Sequence, residues 1–221
     1  MTSLPYTCAH QDSNTKFLGT EIVNKSNLLK LLAESGYNLG YGAKKHFATL
    51  DLIEKAPGWL GFFALVVGVY ALFIPPLATN EVSAVMIIFG VMSLYITNYD
   101  SKKGDYDKAG VHLTRVYNDM RTLYYEVKSL PEDNDFTAHV QRHKSMYDSA
   151  FEHAVSKQMF LSDWYAHYKF FWQQQTEWID EQKHFSLLRD KIPLTFSVAV
   201  VGSAVFTAVY YVIPLIKLCS K

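Results

Sequence analysis

The sequence predicts an all-α integral membrane protein: a two-span hairpin, a cytoplasmic long-helix hairpin and a third C-terminal hydrophobic helix. Three observations carry that reading. Residues 58–97 hold one charged side chain, Glu81, and it falls in a turn. Residues 105–130 carry a regular 4-3 apolar repeat. Residues 192–216 form twenty-five residues without a charge.

The first span reads GWLGFFALVVGVYALFI, from Gly58 to Ile74. Pro75-Pro76 ends it, because proline has no N–H to give and its ring obstructs the preceding turn. The second reads VSAVMIIFGVMSLYIT, from Val82 to Thr97. At ~1.5 Å rise per residue each covers roughly 25 Å of a hydrocarbon core about 30 Å thick. Trp59, Tyr95 and Tyr99 suit the interfaces. A buried helical hairpin of a soluble protein is the competing explanation, but this stretch offers no polar face to water. The third stretch, Ile192 to Ile216, has Pro193 in its first turn, Tyr210 and Tyr211 for an aromatic belt, and Pro214 near its end.

The expected division is a flexible N-terminus over 1–20, a cytoplasmic or interfacial helix over 21–56, the hairpin over 58–97, a cytoplasmic helical hairpin over 99–190 and a third transmembrane helix over 192–216. Residues 1–17 contain no apolar leader, so the first span is expected to act as its own insertion signal. The turn at 75–81 has no Lys or Arg, whereas Lys44, Lys45 and Lys55 precede the hairpin and Lys102, Lys103 and Lys108 follow it. The positive-inside rule then puts the N-terminus and residues 99–191 in the cytoplasm of a multi-pass inner-membrane protein.

Composition narrows the function classes. Charged residues are 19% of the chain, below the usual ~25%. Lys+Arg and Asp+Glu both number 21, so no basic excess points to direct nucleic-acid binding. Cys8 and Cys219 form neither a CxxC pair nor a disulfide framework. No phosphate-binding loop, dinucleotide fingerprint, nucleophile elbow or HExxH motif occurs, so no enzyme and no cofactor is expected. His139 and His143 stand i, i+4 and could offer two imidazoles to a metal. A metal site needs more ligands than that, and surface histidines are the simpler reading.

The polar helices have their own pattern. Residues 21–54 read as a helix interrupted at Gly36, Gly40 and Gly42. Residues 105–130 repeat Ala109, Leu113, Val116, Met120, Leu123, Val127 and Leu130, a coiled-coil-like seam. Residues 136–190 read as one long helical stretch. Its later half carries Trp164, Tyr168, Phe171, Gln175, Trp178 and Gln182, a candidate seam for an oligomer or partner. The two soluble helices are expected to pack on each other as an antiparallel hairpin.

In the spans, Gly61, Ala64, Gly68 and Ala71 follow 3-4-3 spacing and form one smooth face. Met86, Gly90, Ser93 and Thr97 follow 4-3-4 spacing; Thr195, Ala199, Ser203 and Thr207 recur every four residues. Such faces serve span packing within one subunit or line a water-filled path in an oligomer. Without an intramembrane Asp, Glu, Lys or Arg, a carrier built on a proton or ion relay is disfavoured, and a wide or hydrophobically gated pore stays open.

The string Tyr41-Gly42-Ala43-Lys44-Lys45-His46-Phe47 before a tight two-span hairpin, followed by Tyr99-Asp100, Tyr106, Ala109, His112 and Leu123-Tyr124-Tyr125-Glu126, resembles the SLATT domains, the SMODS and SLOG-associating two-transmembrane effectors. The resemblance covers roughly residues 20–185. It implies a membrane effector of bacterial antiviral conflict systems that forms an oligomeric pore, or otherwise disrupts the inner membrane, when a partner senses infection. The implied partners are the lipid bilayer, further copies of the chain, and a separate sensor or signal-producing protein or its nucleotide product. The third apolar stretch departs from the family's two-span pattern. The alternative is a non-enzymatic membrane-anchored scaffold that recruits a partner through its cytoplasmic helices.

Overall fold

The computed structural model describes residues 24–152, 155–186 and 190–219. The expected tail over 1–20, with Cys8, lies outside the described residues. Everything described is helix, turn or loop, with no strand among the described residues.

Helix α1 runs without a break from Lys25 to Ala71, 47 residues and roughly 70 Å at 1.5 Å each. Asn24 caps it by accepting the Asn27 N–H at 2.8 Å. The expected interruptions at Gly36, Gly40 and Gly42 are absent, and Pro57 also lies inside the helix. Isolated glycine costs only ~1 kcal/mol in a helix, which tertiary packing readily offsets. Here each of the first two is a notch. A Cβ at Gly36 would fall 2.1 Å from the Trp178 ring, and one at Gly40 would fall 2.8 Å from Phe170.

At the far end of α1 the chain turns through Pro75–Leu77. It returns as α2, Asn80–Thr97, whose first turn is capped by Thr79. A short turn at Asp100–Lys102 leads to α3, Lys103–Ser129. This return leg lies antiparallel to α1. Gly110 meets Phe47 of α1, Tyr117 meets Gly40, and the Lys25 ammonium donates to the Leu130 carbonyl at 2.7 Å.

The 4-3 repeat of α3 is buried as predicted, from Tyr106 and Ala109 through Val127. Its partner differs from expectation. α3 packs chiefly on α1, along Leu28, Leu32, Leu39 and Ala43, and not on a long following helix. That following helix is itself divided into α4, Thr137–Ser149, α5, Ser162–Gln173, and α6, Glu177–Lys183. Two half-buried attachments accompany the breaks. Gln158 turns inward to receive Thr49 Oγ1 at 2.6 Å and to bond His46 Nδ1 at 3.2 Å. Tyr117 Oη donates to the Gln175 carbonyl at 2.5 Å, which swings Trp178 into the core. A continuous helix could make neither contact.

The last helix, α7, spans Leu194–Cys219. Its apolar stretch among the described residues, Thr195–Thr207, is shorter than the bilayer-length windows of the other two apolar segments.

Candidate functional site: the apolar hairpin and its base

α1 and the helical run that begins with α2, Asn80–Ser129, each contain an apolar window long enough to cross a bilayer, with mean hydropathy 1.5 and 1.6. Only 6% and 11% of those windows is buried. A core helix of a soluble protein would be mostly covered. Instead Leu65, Leu72, Phe73, Ile87 and Leu94 lie open to their surroundings, a surface that water alone does not tolerate.

The two helices face each other along Leu60, Ala64, Val67 and Ala71 on one side and Val82, Met86, Phe89, Ser93 and Ile96 on the other, all buried or half-buried. The predicted small face of α1 is thereby divided. Ala64 and Ala71 turn toward α2, whereas Gly61 and Gly68 are exposed, and a Cβ at either would meet nothing within 4 Å. α2 divides in the same way. Ser93 is half-buried, while Gly90 and Thr97 are exposed, and Gly90 also has open space before it. Thr97 satisfies its hydroxyl on the Ser93 carbonyl at 2.9 Å. On α7, Thr195, Ala199, Ser203 and Thr207 are all exposed, and Thr207 bonds back to the Ser203 carbonyl at 2.8 Å.

The predicted aromatic seam does not form one face. Trp178 is 1% exposed and donates Nε1 to Tyr117 Oη at 3.1 Å. Phe171 packs edge-on against Phe170 and Phe185. Gln182 donates to Tyr124 Oη at 3.2 Å, and Gln175 accepts from Arg121 at 2.5 Å. Tyr168 is exposed, and Trp164 reaches toward α7. The buried register of α5 is Ser162, Ala166 and Phe170, which the aromatic pattern hid. Half of the seam, Phe171, Trp178 and Gln182, therefore packs on the subunit's own core.

Beneath the spans, Asp51 binds both Lys55 and Lys169. Burial raises its carboxyl pKa, but the two lysine hydrogen bonds outweigh that and hold it below the ordinary value. Lys45 pairs with Asp163 at 2.8 Å. His46 is buried beside Tyr106; burial first, and Lys45 second, push its pKa down to about 4. His143 is buried against Ser35 Oγ at 2.8 Å, and burial lowers its pKa too. Its i−4 neighbour His139 faces Glu126. Among the described residues no group of three His, Cys, Asp or Glu is placed to hold a metal. Gln158, Asp51 and Lys169 were missed by sequence reasoning. Each is one polar residue whose partner lies a hundred or so positions away, and no local pattern announces it.

Two bilayer-length apolar helices, each mostly uncovered, in a chain whose described residues form no strand, point to a membrane-associated protein. It belongs to the SLATT family: the model described as SMODS and SLOG-associating 2TM effector domain 6 matches residues 23–200. The match spans both apolar windows and stops a few residues into α7. No curated protein and no solved structure is significantly similar to the chain.

Proposed function

We propose that this chain is the membrane effector of a bacterial antiviral conflict system, one that assembles as a homo-oligomer and opens a pore, or otherwise disrupts the inner membrane, when triggered. Family membership supports the effector class. The observation that carries the pore reading is the pair of open glycine faces. A Cβ at Gly61, Gly68 or Gly90 would meet nothing within 4 Å among the described residues. In a bilayer, small residues let a second helix approach closely, and that is what drives span association there.

The unbroken α1 supplies the coupling. Its first half is built into the aqueous core and its second half is a span. A shift of the core, through a sensor protein or a nucleotide signal bound to it, moves the span as one body. The lysines flanking the hairpin orient the core to the cytoplasm, with α7 crossing last and the C-terminus outside.

One observation favours the scaffold alternative. Tyr168 and Trp172 on α5 are 52% and 67% exposed, an aromatic pair suited to a partner protein. Exchanging the windows 58–97 for an unrelated two-span anchor separates the readings. Loss of toxicity with retained partner binding is the result expected of a pore; preserved function would establish the scaffold.

A further inference from the structure

The segment 155–165 touches the inner end of all three apolar helices. Met159 is buried with Ile53 of α1 and with Ile96 and Tyr99 at the end of α2. The Lys157 ammonium lies 4.9 Å from the Tyr99 ring centre. Tyr165 shares a groove on α1 with Trp59, Leu60 and Phe63. Trp164 donates Nε1 to Thr195 Oγ1 at 2.7 Å and packs edge-on against Phe196, at the start of α7. One short segment thus gathers the inner ends of all three helices.

The same segment holds apolar side chains away from the protein. Phe160 is 74% exposed and Leu161 41%, although both neighbours of the pair, Met159 and Ser162, are buried. Leu161 has φ 69°, the left-handed region that a bulky residue seldom occupies. The chain is thus pinned on both sides and turned so that the pair projects.

We propose that residues 155–165 form an interfacial collar that docks on the lipid bilayer, with Phe160 and Leu161 inserted at the boundary between headgroups and acyl chains. Lipid fits better than a second copy, because the pair sits level with the span boundaries, where the bilayer surface has to pass. The surroundings agree. Trp59, Trp164 and Tyr165 are aromatic-belt residues, and exposed Lys157 can reach phosphate. By reaching Thr195, the collar also brings α7 into the membrane beside the other two helices. The proposal rests on the membrane reading of α1 and α2 and adds a third kind of contact to it.

The test uses the full chain with Cys8 and Cys219 replaced by serine, in vesicles of phosphatidylethanolamine and phosphatidylglycerol. Nitroxide labels are placed by Phe160→Cys, by Leu161→Cys, by Ile87→Cys in the span and by Lys144→Cys on the aqueous face. Relaxation by oxygen against a water-soluble nickel chelate reads depth. The labels at 160 and 161 should show an oxygen-to-nickel ratio several-fold above the Lys144→Cys label and below the Ile87→Cys label. A ratio equal to that of Lys144→Cys would overturn the collar alone, provided Ile87→Cys reports lipid. Spin–spin broadening at 160 and 161 would overturn it in favour of a second copy. A water-exposed label at Ile87→Cys would overturn the membrane reading and the collar together.

Discussion

The indole of Trp178 rests against the bare backbone of Gly36, so close that a methyl group on that glycine would fall 2.1 Å from one ring carbon and 2.6 Å from another. This contact locks α6 onto α1 and brings Trp178 between Tyr117 and Tyr124.

Gly36→Ala should therefore destabilise the protein, even though alanine is the better helix former by ~1 kcal/mol. Overpacking costs of about 1–3 kcal/mol are usual where backbone and ring must both give way. Thermal unfolding in detergent, followed by tryptophan emission, should show a lowered midpoint. Gly68→Ala, in open space, should not lower the midpoint.

Acid should loosen the core in a defined window. His46 has a pKa of about 4 when folded against 6.5 ordinarily, so the unfolded chain binds a proton more readily than the folded one between those values. The stabilisation is complete above pH 6.5 and is lost as the pH falls toward 4. Buried His143 shifts in the same direction. Midpoints measured from pH 7.5 to 4.5 should fall, and the fall should be shallower in His46→Gln.

Gln158→Leu should cost about 1–3 kcal/mol, because it strips partners from Thr49 and His46 at once. Loss of the anchor should also free the loop that carries Met159. Hydrogen exchange over 155–161 would show faster opening, with α3 much less affected.

Asp51→Asn removes the carboxylate that holds Lys169 to α1. Lys169 is 13% exposed, so its charge is left poorly solvated, and α5 should detach from the base of the spans. Limited proteolysis should cut sooner between 150 and 162 than in the unaltered protein. Lys55→Ala, which removes a largely exposed partner, should have little effect.

The spans were legible in the sequence because a bilayer sets a crude and strong rule: Gly58 to Thr97 shows one charge in forty positions. The seam from Ala109 to Val127 was legible because a buried helix face repeats locally. Its partner was not, since a repeat says that a face is covered and not by what. Gly36 and Gly40 read as breaks because glycine is a poor helix former, and only the rings of Trp178 and Phe170 reveal them as notches. The division of 136–190 was hidden for the same reason: Gln158 and Gln175 lie in the connections between helices and are held there by Thr49 and Tyr117, far away in the chain. Of the small residues, spacing alone grouped Gly61, Ala64, Gly68 and Ala71. The presence of α2 splits them into an inner pair and an outer pair.

That outer pair offers the most direct test. Membrane potential is read with a voltage-sensitive dye in bacteria carrying the chain, its genomic neighbours and an activating challenge. The unaltered chain should depolarise the cells only when the neighbours are present. Gly68→Leu, whose Cβ enters open space among the described residues, should fold and insert normally yet abolish the depolarisation. A steady potential with the unaltered chain under challenge, or full depolarisation by Gly68→Leu, would contradict a pore assembled through the open glycine face.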